Sequence, residues 1–153
     1  MARELIAIAL GLACGAAAAC KASGCRNAGD GKPDPSAGKP LAGKAFYRID
    51  AGPPVPCAQG ATCEARLVLT ALGDYHINQD YPVKFIGEPA PAVPVDGEGA
   101  FAIDDAKHGT MTVKFHPAVA GTAKLVGTFK LCVCSDETCE IETPRIELAV
   151  PVS

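Results

Sequence analysis

Three of the eight cysteines in this 153-residue chain fall in one short stretch, Cys132-Val133-Cys134-Ser135-Asp136-Glu137-Thr138-Cys139. Thiols this close together have two kinds of chemistry open to them: forming and exchanging disulfides, or holding a soft metal ion. A second pair, Cys57 and Cys63, encloses Ala58-Gln59-Gly60-Ala61-Thr62. Two cysteines six apart around a glycine-containing loop predict a local structural disulfide, worth about 2–3 kcal/mol on the chain-entropy model. No Ser-His-Asp or Cys-His arrangement can be argued from the spacing of His76, His108 and His116, which leaves hydrolase chemistry without support.

The three clustered thiols need an element to position them, and the flanking residues supply one. Ala123 to Cys134 and Cys139 to Val150 alternate with period 2, and Ser135 to Thr138 fit a four-residue hairpin loop. In that register Ala123, Leu125, Gly127 and Phe129 lie opposite Val150, Leu148, Ile146 and Pro144 on one face. Lys124, Val126, Thr128 and Lys130 lie opposite Ala149, Glu147, Arg145 and Thr143 on the other. Core and solvent sides separate over most of the hairpin. Toward the tip Leu131 and Val133 share a face with Glu142 and Glu140, so this end is expected to project past the core, with Cys132, Cys134 and Cys139 on its outer face.

Directly opposed residues of an antiparallel pair have Cα atoms about 4.5–5.5 Å apart, inside the window for a disulfide. Cys134 and Cys139 are so opposed and should pair. Cys132 and Cys134, two apart on one strand at about 6.6 Å with parallel Cβ vectors, should not, which leaves Cys132 as an auxiliary third thiol. A disulfide at an exposed hairpin tip is open to attack by an incoming thiolate. Asp136, Glu137, Glu140 and Glu142 place negative charge around these sulfurs and disfavour a thiolate, so a docked partner is expected to be needed for rapid exchange.

The remaining sequence sets the context. Phe46 to Ile49, Glu64 to Ala71, Tyr75 to Asn78, Tyr81 to Ile86 and Met111 to His116 read as short strands, and the proline- and glycine-rich stretch from Gly87 to Ala100 reads as loop. With the terminal hairpin this predicts an all-β, immunoglobulin-like β-sandwich of about seven or eight strands. A formal net charge of -3 without a Lys/Arg cluster argues against a nucleic-acid partner. Gly97-Glu98-Gly99 lacks the following glycine and lysine of a nucleotide loop, and no cofactor is implied.

Eight cysteines suit an exported chain. Met1 to Glu4 carries an arginine, Leu5 to Ala19 is an alanine-rich apolar run, and small residues precede Cys20, the pattern of an export signal. The run resembles bacterial lipoprotein signals, in which the cysteine after the cleavage point is lipidated. Cys20 is the favoured lipidation site, Cys14 the alternative, and plain secretion with cleavage within Ala16 to Ala19 a further one. The expected organisation is a signal peptide over 1–19, a flexible tether over 20–44 that holds Cys25, whose partner the sequence does not indicate, and one domain over 45–153. The chain is then exported, periplasmic or on the outer surface, and held to a bacterial membrane through its lipid.

Gly73-Asp74-Tyr75-His76-Ile77-Asn78 resembles the glycine, aromatic, histidine, aliphatic, asparagine signature in the amino-terminal periplasmic domain of the thiol:disulfide interchange protein DsbD. Gly127-Thr128-Phe129-Lys130-Leu131-Cys132-Val133-Cys134 and Cys139 resemble that family's final strand with its redox cysteines. The resemblance covers roughly Ala45 to Val152. It implies an immunoglobulin-like fold, redox activity at Cys134 and Cys139, exchange with extracytoplasmic thiol-disulfide proteins, and an aromatic cap over the sulfurs for which Phe101 is the positional candidate. Leu131 stands where the family has an aromatic residue, Cys132 where it has a polar one, and no proline pair follows Cys139. The chain is expected to be a stand-alone lipoprotein relative.

Three functions follow from these residues. The first is thiol-disulfide exchange by Cys134 and Cys139, and the second a non-catalytic binding or scaffolding module in which that bond only staples the hairpin. The third is soft-metal binding by Cys132, Cys134 and Cys139, with Met111, His108 or His116 as further ligands, although Cys-x-Cys with x4-Cys is not a standard zinc spacing. The lipoprotein reading predicts a mature protein whose amino-terminal residue is an acylated Cys20, and intact mass spectrometry showing an unacylated terminus overturns it.

Overall fold

Alternation of apolar and polar residues shapes nearly every element over residues 39–153, which are those the computed structural model describes. The signal segment, Cys14, Cys20, Cys25 and the tether as far as residue 38 lie outside the described residues. The described chain is all-β, with ten strands in two antiparallel five-stranded sheets. The first sheet comprises β1 (Ala42–Lys44), β2 (Tyr47–Ala51), β3 (Cys63–Ala71), β7 (His108–Phe115) and β6 (Val95–Ile103), in that spatial order. The second is built around β8 (Gly121–Cys134). On one edge β8 carries β10 (Arg145–Val152) and β9 (Cys139–Glu142), and on the other β5 (Lys84–Gly87) and β4 (His76–Ile77).

One core joins the two sheets. Ile49, Leu67, Leu69, Met111, Val113 and Phe115 of the first meet Phe85, Leu125, Phe129, Leu131, Val133 and Ile146 of the second. All are essentially inaccessible to solvent, and each such side chain contributes about 1.5–3 kcal/mol relative to exposure. Phe101 belongs to this interior side: it meets Phe129 edge-on, with ring centroids 6.4 Å apart, and fills the space that a Cβ on Gly109 would need.

The terminal hairpin has the expected register, from Val150 opposite Ala123 to Cys139 opposite Cys134. Its return strand is interrupted at Thr143-Pro144, where Pro144 has no N–H to donate but its carbonyl accepts from the Phe129 amide at 2.9 Å.

Four expectations need correction. Ala42–Lys44, assigned by composition to the tether, is an edge strand on β2, held by main-chain pairing that needs no apolar side chain. Val95–Ile103, within and beyond the stretch read as loop, is a strand. Gly97 and Gly99, at φ 65° and 72°, form the irregularity between Asp96 and Ala100 and let the strand resume. The strands number ten, because these two were missed and the return strand is split. Finally, the hairpin tip does not project past the core: Leu131 and Val133 are fully buried, as is Ile77 of β4, which pairs with Val133.

Gly127 is where β5 and β8 pack most closely, and a Cβ there would overlap the Phe85 ring and the Ile86 carbonyl. Gly127→Ala should lower stability by about 1–3 kcal/mol, as overpacking does, measured as a shift of the urea midpoint with unchanged slope.

Candidate functional site

Where strand β8 ends, the chain reverses through Ser135 to Thr138. The Ser135 amide donates to the Thr138 carbonyl at 2.8 Å, and the Ser135 hydroxyl accepts from the Glu137 and Thr138 amides. This loop brings Cys134 and Cys139 together as a disulfide with Cα atoms 4.0 Å apart. The two ends of the bond differ, since Cys134 is buried and Cys139 is exposed. The bond thus joins an exposed residue to a buried one, and both line an open cleft.

Cys132 was expected on an exposed face beside this bond. It does share a face with Cys134, but it is buried, at 2% exposure. The cause lies in the opposite edge of β8. Between the Ile77–Val133 and Lys84–Lys130 pairs, six residues run alongside only two of β8, and the excess chain must leave the ladder. Asn78 begins this excursion. Its amide N–H donates to the Cys132 carbonyl at 3.0 Å, while its Oδ1 accepts from the Asp80 amide at 2.9 Å. That second bond settles which way the side chain points, with Nδ2 toward the sulfurs, 3.3 Å from Cys134 Sγ and 3.8 Å from Cys132 Sγ. All three sulfurs lie within 4.8 Å of one another.

The charge around the sulfurs also differs from expectation. Glu140 and Glu142 share the face of Val133 and Leu131, away from the sulfurs, and Glu142 is paired with Lys44 at 2.5 Å. The carboxylates on the side of the sulfurs are Asp136 and Glu137 of the loop and Asp80 beside Asn78. Burial, with the Glu142 carboxylate adding to it, raises the Tyr47 phenol above its ordinary value.

Two open clefts flank the tip. One, of about 510 Å³, is lined by His76, Asn78, Asp80, Cys134, Ser135 and Cys139 among others, and His76 is the direct cross-strand partner of Cys134. The other, of about 500 Å³, includes Tyr75, Asp136 and Glu137, and the Tyr75 ring lies against Phe46 with centroids 5.3 Å apart. Ile141, two residues from Cys139 on the same strand face, is 62% exposed. An exposed sulfur, a cleft and an uncovered apolar side chain are thus gathered at one end of the sandwich.

The other candidates lie elsewhere. Phe101 does not cap the sulfurs: its neighbour Phe129 is five residues from Cys134, about 17 Å along the strand, and faces the core. Met111 is buried in the first sheet, His108 pairs with Asp105 and His116 with Asp96, so none of the three joins the thiol cluster. Cys57 and Cys63 form a disulfide with both residues buried, at the end of the sandwich opposite the hairpin tip, where the Ser153 amide donates to the Cys57 carbonyl and the Gln59 amide to the Ser153 carbonyl. The sequence reading passed over Asn78 as a functional group and over Ile141. Asn78 followed two residues later by Asp80 is an Asx-turn signal, whereas nothing local marks Ile141. Comparison with known proteins finds no matching family model, no matching curated protein and no matching solved structure.

The geometry brings together a disulfide between an exposed and a buried cysteine, a fixed N–H donor directed at the buried one's sulfur, and a third thiol nearby, an arrangement compatible with thiol chemistry. Hydrogen bonds to charged groups are worth about 1.5–3 kcal/mol, so Asn78 acts chiefly on the thiolate. Asn78→Ala should slow reduction of the Cys134–Cys139 bond by small thiols roughly tenfold while leaving the Cys57–Cys63 bond unaffected, measured by timed alkylation and peptide mapping.

Proposed function

We propose that this protein is an extracytoplasmic thiol-disulfide exchange module whose working pair is Cys134 and Cys139. The observation that carries the reading is the asymmetry of the bond, one sulfur exposed and the other buried against an amide donor. The resemblance of Gly73 to Asn78 and of the terminal hairpin to the amino-terminal domain of DsbD supports it, as does the two-sheet all-β architecture that the resemblance implies. The lipoprotein-like pattern of residues 1–20 supports a location outside the cytoplasm, anchored to a membrane, with thiol-disulfide proteins as partners.

The exchange runs as follows. A partner thiolate attacks Cys139 Sγ, the Cys134–Cys139 bond breaks, and the electron pair passes to Cys134 Sγ, whose charge the Asn78 amide stabilises. The partner's second thiolate then attacks its own sulfur in the mixed disulfide, closing the partner's disulfide and releasing Cys139 as a thiolate that takes up a proton. Two electrons have moved from the partner's dithiol to the pair, and the reverse sequence delivers them to a substrate disulfide. Ile141 offers the partner an apolar foothold beside the attacked sulfur.

Equilibration of the full chain with thiol-disulfide proteins poised between about -120 and -270 mV tests this. The Cys134–Cys139 bond should open within that range, Cys134→Ser should accumulate mixed disulfides through Cys139, and Ile141→Asp should slow protein-mediated exchange about tenfold with stability changed by no more than ~0.5 kcal/mol. A bond that stays closed throughout leaves the structural staple of a binding or scaffolding module as the correct reading.

A further inference from the structure

Cys132 is the element that exchange does not use. A buried free cysteine is ordinarily a small apolar side chain, yet this one packs beside two other sulfurs on the face of β8 that points away from the core. It is also poorly placed to join either neighbour in an alternative disulfide. Cys134 is two residues away on the same strand, at about 6.6 Å with parallel Cβ vectors, and Cys139 is its diagonal rather than its direct partner, at about 7–8 Å. Three sulfurs that converge within 4.8 Å without being arranged for alternative bonds match a different demand, that of a single ion placed among them.

We infer that the reduced hairpin tip is a copper(I) site formed by the thiolates of Cys132, Cys134 and Cys139. A metal–sulfur bond of about 2.3 Å puts the sulfurs of a trigonal site roughly 4.0 Å apart; the three already lie within 4.8 Å of one another, and the Cys134 and Cys139 sulfurs must separate from bonding distance once reduced. Thiolates select Cu(I) among the soft ions. Structural zinc, by contrast, takes four tetrahedral ligands, and among the described residues this cluster has three members. Burial of Cys132 and Cys134 keeps water from much of the site, and Asn78 Nδ2, directed at both sulfurs, offsets part of the thiolate charge.

Binding is gated by oxidation state. A dithiol reductant gives two electrons and two protons to the Cys134–Cys139 bond and leaves as its own disulfide. Cu(I) then displaces the protons of the three thiols and is held by three sulfurs, with no change in its own oxidation state. While the disulfide is closed, two of the three ligands are unavailable. The site needs the bond reduced, by whatever reductant, and does not depend on exchange with a protein partner.

The test is an anaerobic titration of the full chain, reduced with a phosphine, with Cu(I) supplied as its bicinchoninate complex. One copper per chain should be withdrawn from the chelator, with loss of its colour. Alkylation and peptide mapping with and without copper should then find copper-dependent protection at Cys132, Cys134 and Cys139, and none at Cys25, Cys57 and Cys63. Cys132→Ser and Cys132→Ala should each weaken binding about 100-fold or more and Asn78→Ala about tenfold, the range for losing an outer-shell partner, while Cys25→Ser has no effect. Formation of the Cys134–Cys139 bond on reoxidation reports that each variant has folded. Copper left on the chelator, equal affinity in a folded Cys132 variant, or protection at Cys57 and Cys63 instead overturns the assignment. Copper binding without protein-mediated exchange would overturn the proposed function alone.

Discussion

Strand β8 is hydrogen-bonded along both edges, and the site depends on that double pairing. Along one edge β10 and β9 keep a single register across the break at Thr143-Pro144, and along the other β5 and β4 hold Phe129 opposite Phe85 and Val133 opposite Ile77. A slip of one residue would turn Leu131 and Val133 out to solvent and Cys132 and Cys134 into the core. Exposing two large apolar side chains costs about 1.5–3 kcal/mol each, and the same slip would carry Leu125 and Phe129 with it. The thiols are therefore held in place by apolar residues that take no part in their chemistry.

What makes the outer face chemically distinctive is the unequal length of chain between β4 and β5. A continuous strand there would have left Cys132 and Cys134 open to solvent and their surroundings symmetrical. The extra residues instead bring Asn78 onto the sulfurs, with its orientation settled by the Asp80 amide. The two ends of the disulfide acquire different surroundings as a result. Meanwhile Glu140 and Glu142, close to the cysteines in sequence, are carried by strand alternation to the opposite face, where Lys44 neutralises Glu142.

The parts legible in the sequence are those governed by short-range rules. Alternation and loop length place Cys134 opposite Cys139 and Ala123 opposite Val150, and the six-residue spacing brings Cys57 to Cys63. The parts that escaped depend on chain neighbours far apart in sequence. Cys132 is buried by contact with a segment more than fifty residues away, through a two-residue strand too short to have a periodic signature. Strand β6 was hidden by Gly97 and Gly99, whose left-handed conformations interrupt the alternation without ending the strand. Phe101 was a candidate for the sulfurs only by its position in the resemblance, and the sequence around it does not show that Gly109 of the neighbouring strand makes room for its ring against the core.

The two disulfides differ in how their sulfurs are surrounded. Cys57 and Cys63 are both buried, and their loop is tied by main-chain bonds to Pro117 and to the carboxyl-terminal Ser153, so an attacking thiolate has no approach without local opening. The hairpin tip is closed without its sulfurs, by the Ser135 amide and hydroxyl acting on the loop. Its short loop gives the disulfide only about 2 kcal/mol of chain-entropy stabilisation to add. If fastening the strands were all that was needed, that gain would be obtained equally well with both sulfurs covered. Leaving Cys139 in solvent beside an exposed Ile141, while Cys134 and Cys132 stay covered under Asn78, adds nothing to the fastening and opens a path to the bond.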